Sequence, residues 1–222
     1  SYLSEDGITL DMTYFKANHQ SCVVWSYREN IGTSKDTGSM LYIATIDETN
    51  PYQLTSEPVL LSRPLWGWEN IQGTINNEGP YALITQDTVY ITYSGGAAGG
   101  YTYALGMLSI PIESDFLDVS QWQKATTPVL SYYSSDHVYG PGHNSFFKDK
   151  DGSIMLLYHG ESTLTTDGLR CTGMHRVHFN QKGKPVLNLT KEQDIRSKYT
   201  KITLCVHVEI GALGKLNSKD HK

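Results

Sequence analysis

The sequence is poor in charge and in cysteine, and each scarcity argues against a class of protein. Its 222 residues carry 18 Lys and Arg against 23 Asp and Glu, a net charge of −5. Binding to nucleic-acid phosphates needs concentrated positive charge, and the chain has no basic cluster, so we expect no nucleic-acid partner. The 3 cysteines lie far apart and outside any Cys-x-x-Cys pair, which indicates neither a disulfide framework nor a zinc site.

Long apolar runs and helical periodicity are also missing. No segment approaches the roughly 18 apolar residues that a membrane-spanning helix needs, so we expect no membrane partner. Apolar residues do not recur at the spacing of an amphipathic helix over any useful length. The abundant residues are 15 Tyr and 20 Gly. Aromatic residues favour strands and glycines favour tight turns, so the composition predicts an all-β protein.

Three segments of the chain resemble one another at intervals of about 65 residues. Each begins with a polar residue before a short aromatic run, turns, and continues into an apolar strand that ends at a tyrosine. A third strand and a Pro-Val-Leu segment follow each of them. The polar residues that lead the three segments are Asp11, Glu78 and His143. A four-strand unit repeated in this way is typical of the blades of a β-propeller.

The predicted fold is therefore all-β, a β-propeller of four-stranded antiparallel blades. Residues 1–190 form its partial catalytic domain, with blades at about 8–64, 65–135 and 136–190. Propellers close with about four to eight blades, so we expect three blades to need further ones, supplied by upstream residues or by another chain. Residues 191–222 are predicted to form an edge strand and a disordered tail.

The polar leaders are the candidate site. The first strands of successive blades line the propeller axis, so residues that begin these strands should converge. Asp11, Glu78 and His143 would then meet at one place. Glycoside cleavage needs two carboxyl groups, of which one protonates the leaving oxygen and the other activates water or attacks carbon. The alternative is that the three side chains merely face a wet channel.

Several motifs resemble those of glycoside hydrolase family 43, and most closely its α-L-arabinofuranosidases. They are LDMTYF from Leu10, NEGPYAL from Asn77, ITYSGG followed by YALGML, and VYGPGHNSF from Val138. The resemblance covers about residues 8–190. It implies a five-bladed propeller that cleaves terminal arabinofuranose or xylose with inversion, using three carboxyl groups.

The resemblance also implies roles for individual residues. Glu78 matches the general acid, and Asp11 matches the aspartate that tunes the acid's pKa and orients the substrate. His143 matches a histidine near the axis, which in some members helps to hold a central calcium ion or a water. No other cofactor is expected. The family's water-activating aspartate lies in its first blade, and this sequence begins after that blade, so we expect a fragment that carries the acid without the base.

His143 is also a candidate for substrate binding, together with three further residues. Trp66 and Trp68 precede Glu78 by about ten residues, and their rings would suit a stacking wall for a sugar. The alternative is that they anchor a rim loop in the core. Arg176 resembles an arginine that family members point at the sugar hydroxyls, and a surface salt bridge is its alternative.

The predicted function is that of an inverting glycosidase which removes terminal α-L-arabinofuranosyl residues from arabinan or arabinoxylan. Two alternatives stay open. One is a β-xylosidase on the same scaffold, and the other is a carbohydrate-binding propeller fragment without catalysis. A bacterial or fungal source fits the resemblance, and both a secreted and a cytoplasmic location stay open.

Overall fold

The computed structural model describes residues 7–135, 138–164 and 169–189, and most of them lie in antiparallel strands. Three main sheets follow one another along the chain, and in each the strands pair mainly with their neighbours in sequence. The all-β prediction is confirmed. The segment 191–222, for which an edge strand and a tail were predicted, lies outside the described residues.

The first two sheets occupy the first part of the chain. In the first sheet the strand order is β1-β2-β3-β4, and β5 also pairs with β3. These strands are β1 Ile8–Ala17, β2 Gln20–Arg28, β3 Met40–Asp47, β4 Asn50–Leu54 and β5 Val59–Ser62. The second sheet contains β6 Asn77–Ile84, β7 Thr88–Gly95, β8 Ala104–Pro111 and β9 Gln123–Lys124 in that order. Short 3₁₀ segments at Gly67–Gly73 and Val119–Gln121 precede β6 and β9.

The third sheet is a three-stranded meander followed by a small two-stranded pair. Its strands are β10 Tyr139–Lys148, β11 Ile154–Glu161 and β12 Arg170–Arg176, and the pair is β13 His178–Phe179 with β14 Pro185–Val186. The three Pro-Val-Leu segments hold corresponding places: Val59 begins β5, Leu130 bridges to Leu105 of β8, and Pro185 begins β14.

Apolar side chains fill the space between consecutive sheets. Phe15, Val24 and Ile43 of the first sheet pack in one buried cluster with Ile91 of the second. A further cluster joins Leu105, Leu156 and Tyr158 across the second and third sheets. Each fully buried side chain of this size contributes about 1.5–3 kcal/mol relative to an exposed one. The packing therefore fixes the ends of the strands, where the candidate site lies.

Candidate active site

The first strands of the three sheets lie side by side, since β6 contacts both β1 and β10. Each is interrupted by a β-bulge near its beginning. One residue of each bulge has a left-handed backbone, with φ of 57° at Asp11, 55° at Gly79 and 51° at His143. A bulge redirects a side chain out of the regular ladder, and bulges are frequent beside active sites. The three bulges therefore mark the same end of the three sheets.

These bulges correct one expectation from the sequence. Glu78 pairs with Ser94, as Leu10 pairs with Ser26 and Gly142 pairs with His159. Glu78 is thus equivalent to Leu10 and Gly142, and the residue equivalent to Asp11 and His143 is Gly79. The expected equivalence of Asp11, Glu78 and His143 is wrong by one residue at Glu78, although all three lie at the same end of the sheets.

Asp11 links the first sheet to the second beside Glu78. Its Oδ2 accepts hydrogen bonds from the backbone N–H of Gly79 at 3.2 Å and from the Ser26 hydroxyl at 3.1 Å. The second sheet contacts the third in the same manner, because the backbone N–H of His143 donates to Ser94 Oγ at 2.7 Å. Polar contacts between neighbouring bulges therefore connect all three sheets.

Asp11 and His143 form an ion pair when the imidazole is protonated. Nε2 of His143 lies 3.5 Å from Oδ1 of Asp11. The hydrogen bond and the charge of His143 lower the pKa of Asp11, and Asp11 in turn raises the pKa of His143. Gly79 packs against this imidazole so closely that an added Cβ would lie 3.1 Å from its ring atoms. Both the left-handed backbone and the close approach require glycine at this position.

Glu78 is held by a buried tyrosine. The Tyr103 hydroxyl donates a hydrogen bond to Oε1 of Glu78 at 2.7 Å, and Tyr103 is fully buried. Burial, followed by the negative charge of Glu78, raises the pKa of Tyr103 well above 10. The phenol therefore stays protonated across the working range of the protein and remains a fixed donor to the carboxyl group.

His159 and Arg170 complete the surroundings of this centre. The rings of Tyr103 and His159 stack with centroids 5.8 Å apart and an interplanar angle of 12°, and the His143 ring lies 6.1 Å from that of His159. Burial, with the charges of Arg170 and His143, lowers the pKa of His159 to about 4. At neutral pH His159 is therefore an uncharged stacking partner. Sequence reasoning missed Tyr103, His159 and Arg170.

A buried ion pair supports the strand that carries Glu78. Glu69 is fully buried, and its Oε1 lies 2.6 Å from Nζ of Lys124. The same oxygen accepts hydrogen bonds from the Tyr93 hydroxyl at 2.8 Å and from Nδ2 of Asn77 at 2.9 Å. Asn77 directly precedes Glu78, so this network fixes the start of β6. The sequence pattern gave no sign of it.

The two candidate tryptophans are anchored in this region. The backbone N–H of Trp66 donates to Oε2 of Glu69 at 2.8 Å. The Trp68 ring stacks on Tyr93 with centroids 6.1 Å apart, and its Nε1 donates to the carbonyl of Thr126 at 3.2 Å. The contacts of the Trp68 side chain agree with the anchoring alternative for that residue, whereas the Trp66 contact is made by its backbone. Contact of either ring with a sugar stays a prediction.

Arg176 lies away from the centre. It pairs with Met155 at the far end of β11, and its Nη1 lies 3.2 Å from Oδ2 of Asp151. Arg170, six residues earlier on the same strand, is at the end near His143. Strand residues advance by about 3.3 Å each, so about 20 Å separates the two arginines along the strand. This placement corrects the expectation that Arg176 points at the sugar: it forms the surface salt bridge.

Among the residues that the structure describes, no group of three or more His, Cys, Asp and Glu side chains is arranged to hold a metal ion. Calcium prefers oxygen ligands, and the imidazole of His143 is turned towards Asp11. A direct calcium–His143 bond does not fit this arrangement, so any contact with an axial ion would run through water.

In the same described ranges, none of the helices has both the length and the apolar character to span a membrane.

Consecutive antiparallel sheets whose first strands lie side by side are arranged as the blades of a propeller, with the carboxyl groups of Asp11 and Glu78 at one end of these strands. The chain matches Glycosyl hydrolases family 43 over residues 2–185 and belongs to that family. The expected resemblance is thus confirmed.

Curated relatives that match this chain include proteins named as arabinofuranosidases. The chain is 34% identical over 184 residues to the extracellular exo-α-(1→5)-L-arabinofuranosidase of Streptomyces avermitilis, covering 80% of this chain and 37% of that protein. It is 29% identical over 187 residues to α-L-arabinofuranosidase 43 of Humicola insolens, covering 81% and 38%. The crystal structure of an α-L-arabinofuranosidase from Lactobacillus brevis matches with a TM-score of 0.73 and 31% identity, covering 85% of this chain and 58% of that one. The chain thus spans under two fifths of the length of these two curated relatives.

Proposed function

We propose that this chain is part of an inverting glycoside hydrolase that releases terminal α-L-arabinofuranosyl residues from arabinan or arabinoxylan. The relatives named above support the substrate class. The main support for the proposal is the 3.2 Å hydrogen bond from the Gly79 N–H to Oδ2 of Asp11. Gly79 directly follows Glu78, so this bond holds a second carboxylate close to the proposed acid.

Glu78 is proposed as the general acid. It gives its proton to the glycosidic oxygen as the bond from that oxygen to the anomeric carbon breaks, and a water supplies the new hydroxyl group. Asp11 positions the segment beside the acid, and Tyr103 fixes the orientation of the acid's carboxyl group. His143 keeps Asp11 ionised. We place the carboxylate that activates the water outside this chain, as the family resemblance implies.

Partners and location follow from the same proposal. The partner is an oligosaccharide or polysaccharide, and the ring is closed by further N-terminal blades or by another chain. No organic cofactor is needed, and an axial calcium ion would contact His143 through water. The name of the Streptomyces avermitilis relative includes the word extracellular, and we infer secretion for this protein too.

The β-xylosidase alternative has weaker support. A xylan β-1,4-xylosidase from Bacillus halodurans shares the fold at a TM-score of 0.61, with 14% identity. Identity at that level supports a common fold alone, whereas the arabinofuranosidases named above lie at 29–34%.

The test compares hydrolysis of an aryl α-L-arabinofuranoside with that of an aryl β-xyloside, each with a weakly acidic phenol as a leaving group that needs protonation. Both are assayed with the 222-residue chain and with a version that includes the coding sequence upstream of Ser1. We expect arabinoside hydrolysis by the longer version, and we expect it to be lost in Glu78→Gln. Activity that survives Glu78→Gln would refute the assigned acid, and faster xyloside hydrolysis would refute the substrate. Oligosaccharide binding without turnover in the longer version would favour the binding-fragment alternative.

A further inference from the structure

A cleft lined by aromatic rings lies among the 3₁₀ segment before β6, the loop between β7 and β8, and the chain after β9. Its volume is about 370 Å³, within the range of about 300–1,000 Å³ typical of small-molecule sites. None of the residues assigned above to the acid, its second carboxylate or the axial histidine lines it. The principal lining residues are Trp68, Ile71, Tyr101, Pro128, Tyr132 and Tyr133.

The strand directions place this cleft at the Glu78 end of the sheets. Strand β7 ends at Gly95, which pairs with Asn77, and β8 begins at Ala104, so the loop that carries Tyr101 leaves from that end. Two residues after Tyr101, Tyr103 bonds to Glu78. The chain after β9 runs back to the same end, where Leu130 bridges to Leu105 and leads into the tyrosines at 132 and 133.

The tyrosines form a connected and accessible surface. The rings of Tyr132 and Tyr133 have centroids 3.9 Å apart, and Tyr101 contacts Tyr132 edge-on with centroids 5.2 Å apart. Tyr133 is 85% exposed. Aromatic rings with hydroxyl groups combine an apolar face with a hydrogen-bonding rim. A sugar ring presents the same combination, with an apolar C–H face and a rim of hydroxyl groups.

The cleft is also uncharged. The described residues that line it include no Asp, Glu, Lys, Arg or His. Hydrogen bonding to Tyr133 raises the pKa of Tyr132 to about 12, so Tyr132 stays neutral at ordinary pH. Burying a charged group without a partner is costly, so the cleft favours a neutral ligand over a phosphate or an acidic sugar.

We propose that this cleft binds the polymer portion of an uncharged arabinose-containing polysaccharide while its terminal residue reaches Glu78. The inference rests on the proposed function, which supplies the end-acting site beside the cleft. Tyr101 and Tyr133 stack against the sugar rings, Tyr132 braces them, and Trp68 forms the floor.

The test is a calorimetric titration with α-(1→5)-linked arabinotetraose, carried out in the Glu78→Gln background so that the ligand is not consumed. We expect Tyr133→Ala and Tyr101→Ala each to weaken binding about tenfold, because one stacking contact of this kind is lost. Tyr133→Phe, which keeps the ring, should retain most of the affinity. Tyr52→Ala is the matched control, since Tyr52 is 93% exposed on β4 at the other end of the first sheet. Circular dichroism checks that each variant is folded.

Unchanged affinity in both alanine variants would overturn the proposal, as would an equal loss in Tyr52→Ala. Tyrosine-dependent binding of xylotetraose in place of arabinotetraose would also overturn it, because the assigned ligand would be wrong. The aryl arabinofuranoside assay is independent of this result, since that substrate has no polymer portion. Failure of the cleft and failure of Glu78 as the acid are therefore distinguishable.

Discussion

The buried hydroxyl of Tyr103 donates a hydrogen bond to Oε1 of Glu78 at 2.7 Å. One carboxyl oxygen of the proposed acid is thus occupied before any substrate arrives. A proton donor is effective only when its acidic oxygen meets the leaving group at hydrogen-bond distance, so a phenol that fixes the carboxyl plane contributes to catalysis through geometry.

Tyr103→Phe should reduce kcat of the longer version on an aryl arabinofuranoside by about 10- to 100-fold. Glu78 becomes a carboxylate as it gives up its proton, and a hydrogen bond to a charged group contributes about 1.5–3 kcal/mol. KM should change little. The loss should shrink for substrates whose leaving groups need no protonation, a dependence that a merely structural defect would not produce. Tyr158→Phe, also buried but in the third sheet, is the control. An equal loss across all leaving groups would argue against the positioning role.

Gly79→Ala should destabilise the protein by about 2 kcal/mol and reduce activity. A left-handed backbone costs a residue with a Cβ about 1–2 kcal/mol, and at Gly79 the Cβ also crowds the His143 ring. Gly32→Ala is the matched control, since Gly32 has φ of 75° and an added Cβ meets nothing within 4 Å. Urea unfolding of both variants separates the backbone cost from the contact. If Gly79→Ala and Gly32→Ala were equally destabilised and Gly79→Ala kept full activity, the contact of Gly79 with the His143 ring would have no such role.

The pair of His143 and Asp11 should make stability depend on pH in a defined direction. The pKa of His143 is raised in the folded state, so its stabilising contribution is complete below about 6.5 and is lost as pH rises through the raised value. The pKa of Asp11 is lowered, so its contribution is present above about 3.8 and is lost as pH falls through the lowered value. Because 42% of the His143 side chain is exposed, solvent screens the pair and the effect should be modest. Urea unfolding across this range should show that the free energy of unfolding falls as the pH rises through the raised pKa of His143, and that His143→Gln abolishes this fall. The same fall in His143→Gln would refute the assignment of the pH dependence to this pair.

His159 should remain uncharged until the pH approaches 4. Its imidazole resonances, followed by nuclear magnetic resonance, should titrate with a midpoint near the value of about 4 given by its surroundings. Burial is the main cause and Arg170 the next, so Arg170→Met should raise the midpoint without restoring the ordinary value of 6.5. A midpoint near 6.5 in the unaltered chain would contradict the buried, stacked placement of this ring.

Lys124→Met should reduce the free energy of unfolding by about 3 kcal/mol, because it leaves Glu69 buried without its cation. The Lys124 side chain is only 14% exposed, so its ammonium group is largely desolvated, and this burial lowers its pKa. Adding Glu69→Gln to Lys124→Met should recover part of the loss by removing the unpaired charge. Denaturant unfolding of the single and double variants measures the coupling between Lys124 and Glu69. If the loss of unfolding free energy in the double variant equalled the sum of the two single losses, the coupling would be ruled out.

Sequence reasoning could find the candidate centre because the repeat places a polar residue near the start of each first strand. It could not find the one-residue offset at Glu78, because the segments align by their polar residues, whereas the strands correspond by the left-handed residue of each bulge. The distinguishing property is the backbone φ of Gly79, and a glycine beside a motif does not reveal that value. The contacts of Tyr103 were inaccessible for a different reason, since they join the loop before β8 to Glu78 on β6 and to His159 of the third sheet.

Arg176 shows where a readily available signal was missed. In a meander the third strand runs in the same direction as the first, so its beginning lies at the end that holds the bulge. Arg170 begins β12 and Arg176 ends it. Counting strand reversals would have assigned the near position to Arg170, whereas resemblance to a family arginine assigned it to Arg176.

The three bulges have a consequence for the evolution of this protein. Glycine adopts their left-handed backbone without penalty, yet Asp11 and His143 adopt it with full side chains. Backbone strain alone would favour glycine at both positions, but glycine would also remove the ion pair of Asp11 with His143 and the hydrogen bond that Asp11 accepts from the second sheet. These contacts offset the strain of the two residues, so substitutions that raise thermal stability should be sought elsewhere in the sheets.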